Sequence, residues 1–260
     1  MPRKENAQIL DHQQIATNFF KLTLVSNYIS KNCSPGQFIN VRISKETTPL
    51  LRRPFSIHNF DRSREIIEIL YAVVGQGTEL LSKKEIKDKL DIIGPLGKGF
   101  TSDKNKKFSI LVVGGMGIAP ILALAKELKK TKEAVYVLIG ARNKECLICE
   151  PVFKALECQT LCITNDGSSG KKGLVTDLLP SILESNLADD NSEIFTCGPQ
   201  AMLKLVAEYA ISKKIPCQVS LEEYMGCGIG TCNGCIVKTK TGYQKVCKDG
   251  PVFNAGDIVW

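Results

Sequence analysis

A chain of 260 residues, 43% of them hydrophobic, is long enough for two compact domains and a small appendage. Its net charge of +7 comes from 34 basic and 27 acidic residues scattered without any block of five or six like charges. That pattern argues against nucleic acid as a partner and suits anionic cofactors. No apolar stretch approaches the roughly 18–20 residues of a membrane span, and the start, Met-Pro-Arg-Lys-Glu-Asn, has no apolar leader core. The 11 cysteines are therefore expected to be cytoplasmic thiols rather than a disulfide scaffold.

Residues 1 to about 100 read as short strands. Phe19–Ser26, Gln37–Ile43, Phe55–Phe60 and Ile66–Val74 are rich in β-branched and aromatic residues and are separated by turn signals such as Ser34-Pro35-Gly36. Regular short strands of this kind predict an antiparallel barrel. From about 107 the pattern changes to alternation. Phe108–Val113, Val135–Ile139, Thr160–Thr164 and Ile194–Thr196 are expected to be strands; Ala119–Lys130, Val152–Leu156, Val175–Glu184 and Gln200–Lys213 are expected to be helices. Such alternation implies a parallel sheet with crossover helices. The last 45 or so residues hold two short strand candidates, Ile236–Thr239 and Tyr243–Lys245, in a piece too small for a core of its own. The fold class expected is thus α+β and multidomain: a β-barrel over 1–101, an α/β domain over 102–216 and a small C-terminal domain over 217–260.

The most specific signal lies in that last piece. Cys227, Cys232 and Cys235 are spaced C-x4-C-x2-C, and Cys247 follows after eleven more residues. Four thiolates converging on two irons of a [2Fe–2S] cluster need such a doubled-back loop. Gly226, Gly228, Gly230 and Gly234 permit the sharp path and bring bare amides to the sulfurs. A four-cysteine structural zinc site is the alternative, although zinc sites more often pair two C-x2-C knuckles.

Two glycine turns mark the α/β region. Val113-Gly114-Gly115-Met116-Gly117-Ile118-Ala119-Pro120 carries the chain from a buried strand into a helix, a context that lets backbone approach a pyrophosphate. Cys197-Gly198-Pro199 ends a later strand and is expected on the same rim, where a nicotinamide ring can rest; a buried Cys in a turn is the plainer reading. Thr164-Asn165-Asp166-Gly167 ends another strand there and is either a cofactor contact or a surface turn. Arg142 follows the second strand, where a cation would recognise a 2′-phosphate or simply face solvent. In the barrel, Arg53-Pro54-Phe55-Ser56 offers a bidentate phosphate partner and a hydroxyl, and Gly77-Thr78 opens a short helix beyond it. Only two histidines are present, His12 and His58; the second is expected to pack or face solvent rather than to move protons.

Arg-Pro-Phe-Ser in a barrel, then Gly-Gly-Met-Gly-Ile-Ala-Pro, then Cys-Gly-Pro is an order that resembles the ferredoxin reductase-like flavoproteins. The C-terminal Leu221-Glu222-Glu223-Tyr224-Met225-Gly226-Cys227 segment and the Cys247-Lys248-Asp249-Gly250-Pro251-Val252-Phe253 tail narrow the resemblance to the electron-transfer subunits of NAD-dependent dihydroorotate dehydrogenase B. The resemblance implies FAD on the barrel at Arg53, Pro54, Phe55, Ser56, Leu70, Tyr71, Ala72, Gly77 and Thr78. It implies NAD(H) at Gly114, Gly115, Gly117, Pro120, Cys197, Gly198 and Pro199, and the cluster on Cys227, Cys232, Cys235 and Cys247. Where many ferredoxin reductases have Tyr, this chain has Phe55, which can stack on a flavin but not donate a hydrogen bond. The implied partner is an FMN-containing catalytic subunit in a heterotetramer, in pyrimidine synthesis. Related subunits of transhydrogenases, sulfide dehydrogenases or hydrogenases, and a zinc-stabilised nucleotide-binding module without turnover, remain as alternatives.

Overall fold

A computed structural model describes residues 1–184 and 191–260. Its first hundred residues contain β1 (Arg3–Ala16), β2 (Phe19–Val25), α1 (Asn27–Asn32), β3 (Phe38–Arg42), β4 (Arg53–Asp61), β5 (Ile66–Ala72), α2 (Gln76–Ser82) and β6 (Lys89–Leu96). The strands close an antiparallel barrel in the order β1-β2-β5-β4-β3-β6. Closure removes the exposed edges that an open sheet of this size presents. Alternation divides the side chains: Ile67, Ile69 and Tyr71 of β5 fill the barrel, whereas Leu70 points outward into the core of the neighbouring domain.

β7 (Phe108–Gly114) opens the α/β region. It continues through α3 (Ile121–Leu128), β8 (Ala134–Ala141), α4 (Glu150–Ala155), β9 (Gln159–Thr164), β10 (Lys171–Lys172), α5 (Leu179–Glu184), β11 (Ser192–Cys197), α6 (Gln200–Ser212) and β12 (Cys217–Ser220). Ile110, Leu111, Val112 and Val113 are all fully buried, because β7 lies mid-sheet with both faces covered. The helix expected over Ala119–Lys130 starts only at Ile121, after a 3-10 turn over Gly115–Ile118, and Val175–Glu184 divides into a 3-10 turn at Val175–Leu178 and α5.

β13 (Ile236–Thr239) and β14 (Gly242–Lys245) form the expected C-terminal hairpin. β15 (Val252–Asn254) then pairs antiparallel with β12 and completes a seven-stranded sheet, β10-β9-β8-β7-β11-β12-β15. The sheet therefore runs on beyond residue 216, and the cysteine segment is tied into it at both ends. Cys235, Val246, Cys247 and Phe253 share one buried cluster with Phe38 and Leu96 of the barrel and Ile110 and Val112 of the sheet. Three segments meet in a common core. Among the described residues no helix is long and apolar enough to cross a membrane.

Candidate functional site

β4 and α2 bring the barrel candidates together. Arg53 opens β4, and its Nε lies 3.0 Å from where a Cβ on Gly77 would stand, so the bare glycine lets the guanidinium lie against the first turn of α2. Arg53 Nη1 also donates to the Leu51 carbonyl at 2.7 Å, whereas Arg52 is committed to Asp91 at 2.7 Å and to the structure of the barrel wall. Thr78 is engaged locally: its Oγ1 accepts from the amides of Val74 and Gly75 and donates to the Gly75 carbonyl, which fixes the turn before α2. Pro54 and Ser56 are half-buried.

Phe55 differs from expectation. Strand alternation turns its ring into the barrel core, 8% exposed, where it meets Tyr71 edge-on at 5.6 Å. The ring is thus not presented for stacking on a flavin. Leu70 and Tyr71 are buried as well, which leaves backbone as the main surface that Leu70, Tyr71 and Ala72 can offer a cofactor. Tyr71 stacks on Phe20, and its hydroxyl pairs with His12 Nε2 at 2.8 Å while His12 Nδ1 donates to the Lys84 carbonyl.

On the sheet, β7 and β11 run parallel with Val113 opposite Cys197, so their following turns lie side by side. They touch backbone to backbone. A Cβ on Gly117 would fall 2.1 Å from the Cys197 carbonyl oxygen and 2.5 Å from the Gly198 amide; one on Gly198 would fall 2.9 Å from the Gly114 carbonyl oxygen. Gly115 takes φ +55°, a left-handed conformation with open space beside it. Pro120 caps α3 and Pro199 caps α6. The rim expected from the sequence is therefore assembled at the carboxyl ends of the strands, where open parallel sheets hold ligands. Burial, with the Glu222 carboxylate adding to it, pushes the Cys197 thiol far above its usual range and keeps it protonated at neutral pH. Asp166 is held in a surface turn by the amide and hydroxyl of Ser168, and Arg142 is exposed just past β8.

The four cysteines gather as two pairs. Cys232 Sγ lies 3.3 Å from Cys227 Sγ, and Cys227 Sγ also accepts from the Cys232 amide at 3.4 Å. Cys235 Sγ accepts from the Cys247 amide at 3.5 Å, and the Cys235 and Cys247 side chains interact directly. Among the described residues no group of three or more His, Cys, Asp or Glu side chains is gathered around one point. Two thiolate pairs suit a dinuclear cluster, with two ligands for each iron. Gly228 and Gly230 adopt φ +67° and +87°, and the Cβ positions of Gly226 and Gly234 lie within 3.6 Å of Cys232 Sγ, so glycine is what lets backbone crowd the sulfurs. Burial raises Cys227, but amides of Cys232, Ile229 and Thr231 and the Cys232 thiol outweigh it and bring the group down to about 6. Burial and the neighbouring Cys235 push Cys247 up to about 12. Thiolate-stabilising amides around Cys227 match the kind of donor that iron needs.

Two contacts that the motifs did not reveal join these parts. Asn40 Nδ2, on the barrel strand beside β4, donates to the Cys227 carbonyl at 3.0 Å. Its Oδ1 is buried and has no hydrogen-bond partner within the chain. His58, on β4 itself, hydrogen-bonds the Ala119 carbonyl at 2.7 Å. An Asn inside the apolar run Phe38-Ile39-Asn40-Val41 was the one sequence signal for the first contact. A basic cavity of about 710 Å³ at the barrel end, lined by Arg42, Lys45, Lys83 and Lys89 among others, contains none of the predicted site residues.

A barrel followed by a parallel sheet with paired glycine turns, with a cysteine loop on the same core, defines an electron-transfer oxidoreductase of the ferredoxin reductase-like class. The structural comparison agrees. A chain of an NADH-dependent reduced ferredoxin–NADP oxidoreductase superposes with a TM-score of 0.86 at 30% identity, covering 98% of this chain and 90% of that one. A Neisseria gonorrhoeae ferredoxin NADP+ reductase with bound FAD and NADP shares the fold, with a TM-score of 0.69 at 18% identity over 81% of this chain and 91% of that one. Residues 222–259 match the iron–sulfur cluster binding domain of dihydroorotate dehydrogenase B, and 111–208 match the oxidoreductase NAD-binding domain. The dihydroorotate dehydrogenase B (NAD+) electron transfer subunits of Desulforamulus reducens and of a Geobacillus species are 35% and 38% identical, each over the full length of both chains. The chain belongs to this family of electron transfer subunits.

Proposed function

We propose that this chain relays electrons between NAD(H) and an FMN-containing dihydroorotate dehydrogenase catalytic subunit, through FAD and one [2Fe–2S] cluster, in the cytoplasmic synthesis of pyrimidines. The observation that carries the reading is the position of the β3–β4 wall. One side of it reaches the cluster loop through Asn40 and Cys227, and the other reaches the nucleotide turn through His58 and Ala119. A flavin held on that wall stands between a two-electron donor and a one-electron acceptor, and it supplies the chemistry that converts one to the other.

The chain's own residues bind, orient and insulate. Arg53 offers a fixed cation for a phosphate, with Gly77 and Thr78 shaping the turn beside it. Pro54, Ser56 and the backbone of Phe55, Leu70, Tyr71 and Ala72 supply the rest of the flavin seat. Gly114, Gly115, Gly117 and Pro120 let the nucleotide backbone approach the β7 turn, while Cys197, Gly198 and Pro199 hold that turn from the β11 side. Cys197 acts as a buried neutral wall and not as a nucleophile. Cys227, Cys232, Cys235 and Cys247 hold the cluster. In this assignment the catalytic partner carries the dihydroorotate site, and two subunits of each kind assemble. The net physiological flow then runs from dihydroorotate towards NAD+.

The test is an anaerobic titration of the purified holoprotein followed by absorbance. Flavin bands and the broad sulfur-to-iron absorption should both bleach with NADH. Acid-labile sulfide should accompany two irons per chain. A colourless protein that binds zinc and does not oxidise NADH after cofactor reconstitution would overturn the relay. Copurification with an FMN protein that oxidises dihydroorotate supports the partner assignment; a partner acting on another substrate would replace it.

A further inference from the structure

His58 has no part in the electron path described above, yet it is 2% exposed at the junction of two domains. The strand is interrupted at this residue. β4 and β5 pair at Ile57–Ile69 and again at Asn59–Glu68, so His58 is an extra residue with no partner across the ladder. A β-bulge of this kind re-aims a side chain. Here the ring leaves the barrel wall, and Nδ1 donates to the carbonyl of Ala119 at 2.7 Å. A carbonyl only accepts, so the proton sits on Nδ1. Burial lowers the imidazole's pKa and keeps the ring neutral, against the opposing influences of the Ala119 hydrogen bond and of Glu68 and alongside those of Lys21 and Lys126.

Ala119 is the last residue before Pro120 in the Gly115–Ala119 turn, and His58 stands two residues beyond Ser56 on β4. A single hydrogen bond thus connects the strand assigned to the flavin with the turn assigned to the nicotinamide nucleotide. Its surroundings reinforce the same join. Lys126 of α3 donates to Asn59 Oδ1 at 2.9 Å, and Asn59 in turn donates to Glu68 at 2.7 Å. Those two bonds hold the helix and the strand close, and His58 adds a bond from the barrel to the turn itself.

We infer that His58 is a positioning residue for hydride transfer: by holding Ala119 it sets the nicotinamide turn at the working distance from the flavin strand. Hydride transfer, in which NADH gives two electrons and a proton to oxidised flavin and leaves as NAD+, needs the reacting atoms about 3–3.5 Å apart. A slack join would spoil that spacing without removing any contact to either cofactor. The inference rests on the proposed placement of FAD and NAD(H). A wild-type protein whose flavin NADH does not reduce would refute that placement, whereas the role of His58 is read from differences between variants.

The experiment compares His58→Leu with His58→Asn in the full chain. Leu removes the donor and leaves the Ala119 carbonyl buried and unpaired; Asn places an amide N–H where Nδ1 stood. Flavin and iron contents are measured first, and dithionite reduction verifies that both cofactors respond. Amide hydrogen exchange over 116–121, without nucleotide, should quicken in the Leu variant and return towards wild type in the Asn variant. Flavin bleaching by NADH in stopped flow should slow about 10–100-fold in His58→Leu, with a smaller change in the NADH concentration for half-maximal rate. The long-wavelength charge-transfer absorption of the nicotinamide–flavin complex should weaken in parallel and be rescued by Asn. If the Leu variant loses its cofactors on purification, His58→Ala replaces it as the donorless form. Wild-type exchange and wild-type bleaching in a folded donorless variant would overturn the inference, as would an Asn variant that behaves like Leu.

Discussion

Gly117→Ala is the substitution on which the nucleotide rim depends most directly. The added Cβ would lie 2.1 Å from the Cys197 carbonyl oxygen, 2.3 Å from its carbon and 2.5 Å from the Gly198 nitrogen. All three atoms are backbone, so no side-chain rotation relieves the overlap. To reach an ordinary contact of 3.4 Å the two turns must part by about 1.3 Å. Overpacking of this order costs about 1–3 kcal/mol of stability. The larger consequence concerns rate, because a misplacement of about 1 Å at a reacting centre slows chemistry about 10²-fold. That corresponds to about 2.7 kcal/mol in the barrier. The assay is anaerobic stopped-flow reduction of the bound flavin by NADH, with dithionite reduction as the internal check that flavin and cluster are intact. Slow NADH reduction with normal dithionite reduction is the expected outcome. Wild-type reduction and an unchanged melting temperature would refute the reasoning, since they would mean that the two turns are not in backbone contact.

Arg53→Ala should weaken FAD retention about 10–100-fold, the usual worth of a charge-assisted phosphate contact; unaltered flavin occupancy after dialysis would remove Arg53 from the site. Cys232→Ser should remove iron and acid-labile sulfide while flavin stays bound, and loss of both would show that the segments do not form independently. Lys132 and Glu193 form a buried pair at 3.1 Å, with side chains 1% and 4% exposed. Lys132→Met strands the carboxylate and should cost about 3–5 kcal/mol in chemical unfolding; a loss near zero would show that Ser102, Ser109 and the Asp103 amide suffice to hold Glu193. Burial depresses His58 below its ordinary value of 6.5, so the unfolded chain takes up a proton that the folded one resists. Its contribution is therefore full above about pH 6.5 and is lost as pH falls, and thermal midpoints of wild type and His58→Asn should diverge below that pH, the wild type dropping more.

The parts of this molecule that were legible in its sequence are those whose environment repeats along the strand. β7 announced itself because both of its faces are buried, and the cysteine loop because metal chemistry fixes its spacing. β1 did not. It is the longest strand, yet only Ala7 and Ile9 of its 14 residues belong to the buried core, and the rest reads as a polar tail. β15 was illegible for another reason: three residues carry no period, and Val252–Asn254 is extended only because β12 offers an edge. The inward turn of the Phe55 ring was not legible, because a motif gives residue types but not the face of the strand they occupy. Asn40 stood out only as a polar residue in an apolar run, and no local pattern names the partners of Asn40 and His58, which stand 187 and 61 residues away.

Those two side chains also tie the cysteine segment near the end of the chain and the β7 turn to barrel strands near its beginning. A loop of glycines and cysteines has little apolar surface with which to fix its own position. Cys235 and Cys247 supply some by being buried with Phe38, Leu96 and Phe253, and β15 anchors the far end in the sheet. Neither contact fixes the start of the loop at Cys227. Asn40 does, through the carbonyl of Cys227, and a Cβ on Gly228 would strike its amide at 2.4 Å, so the loop can approach only as glycine. Electron transfer needs short, fixed distances and no acid–base side chain. Both histidines of this chain are engaged in a structural way, one paired with Tyr71 and one with the Ala119 carbonyl.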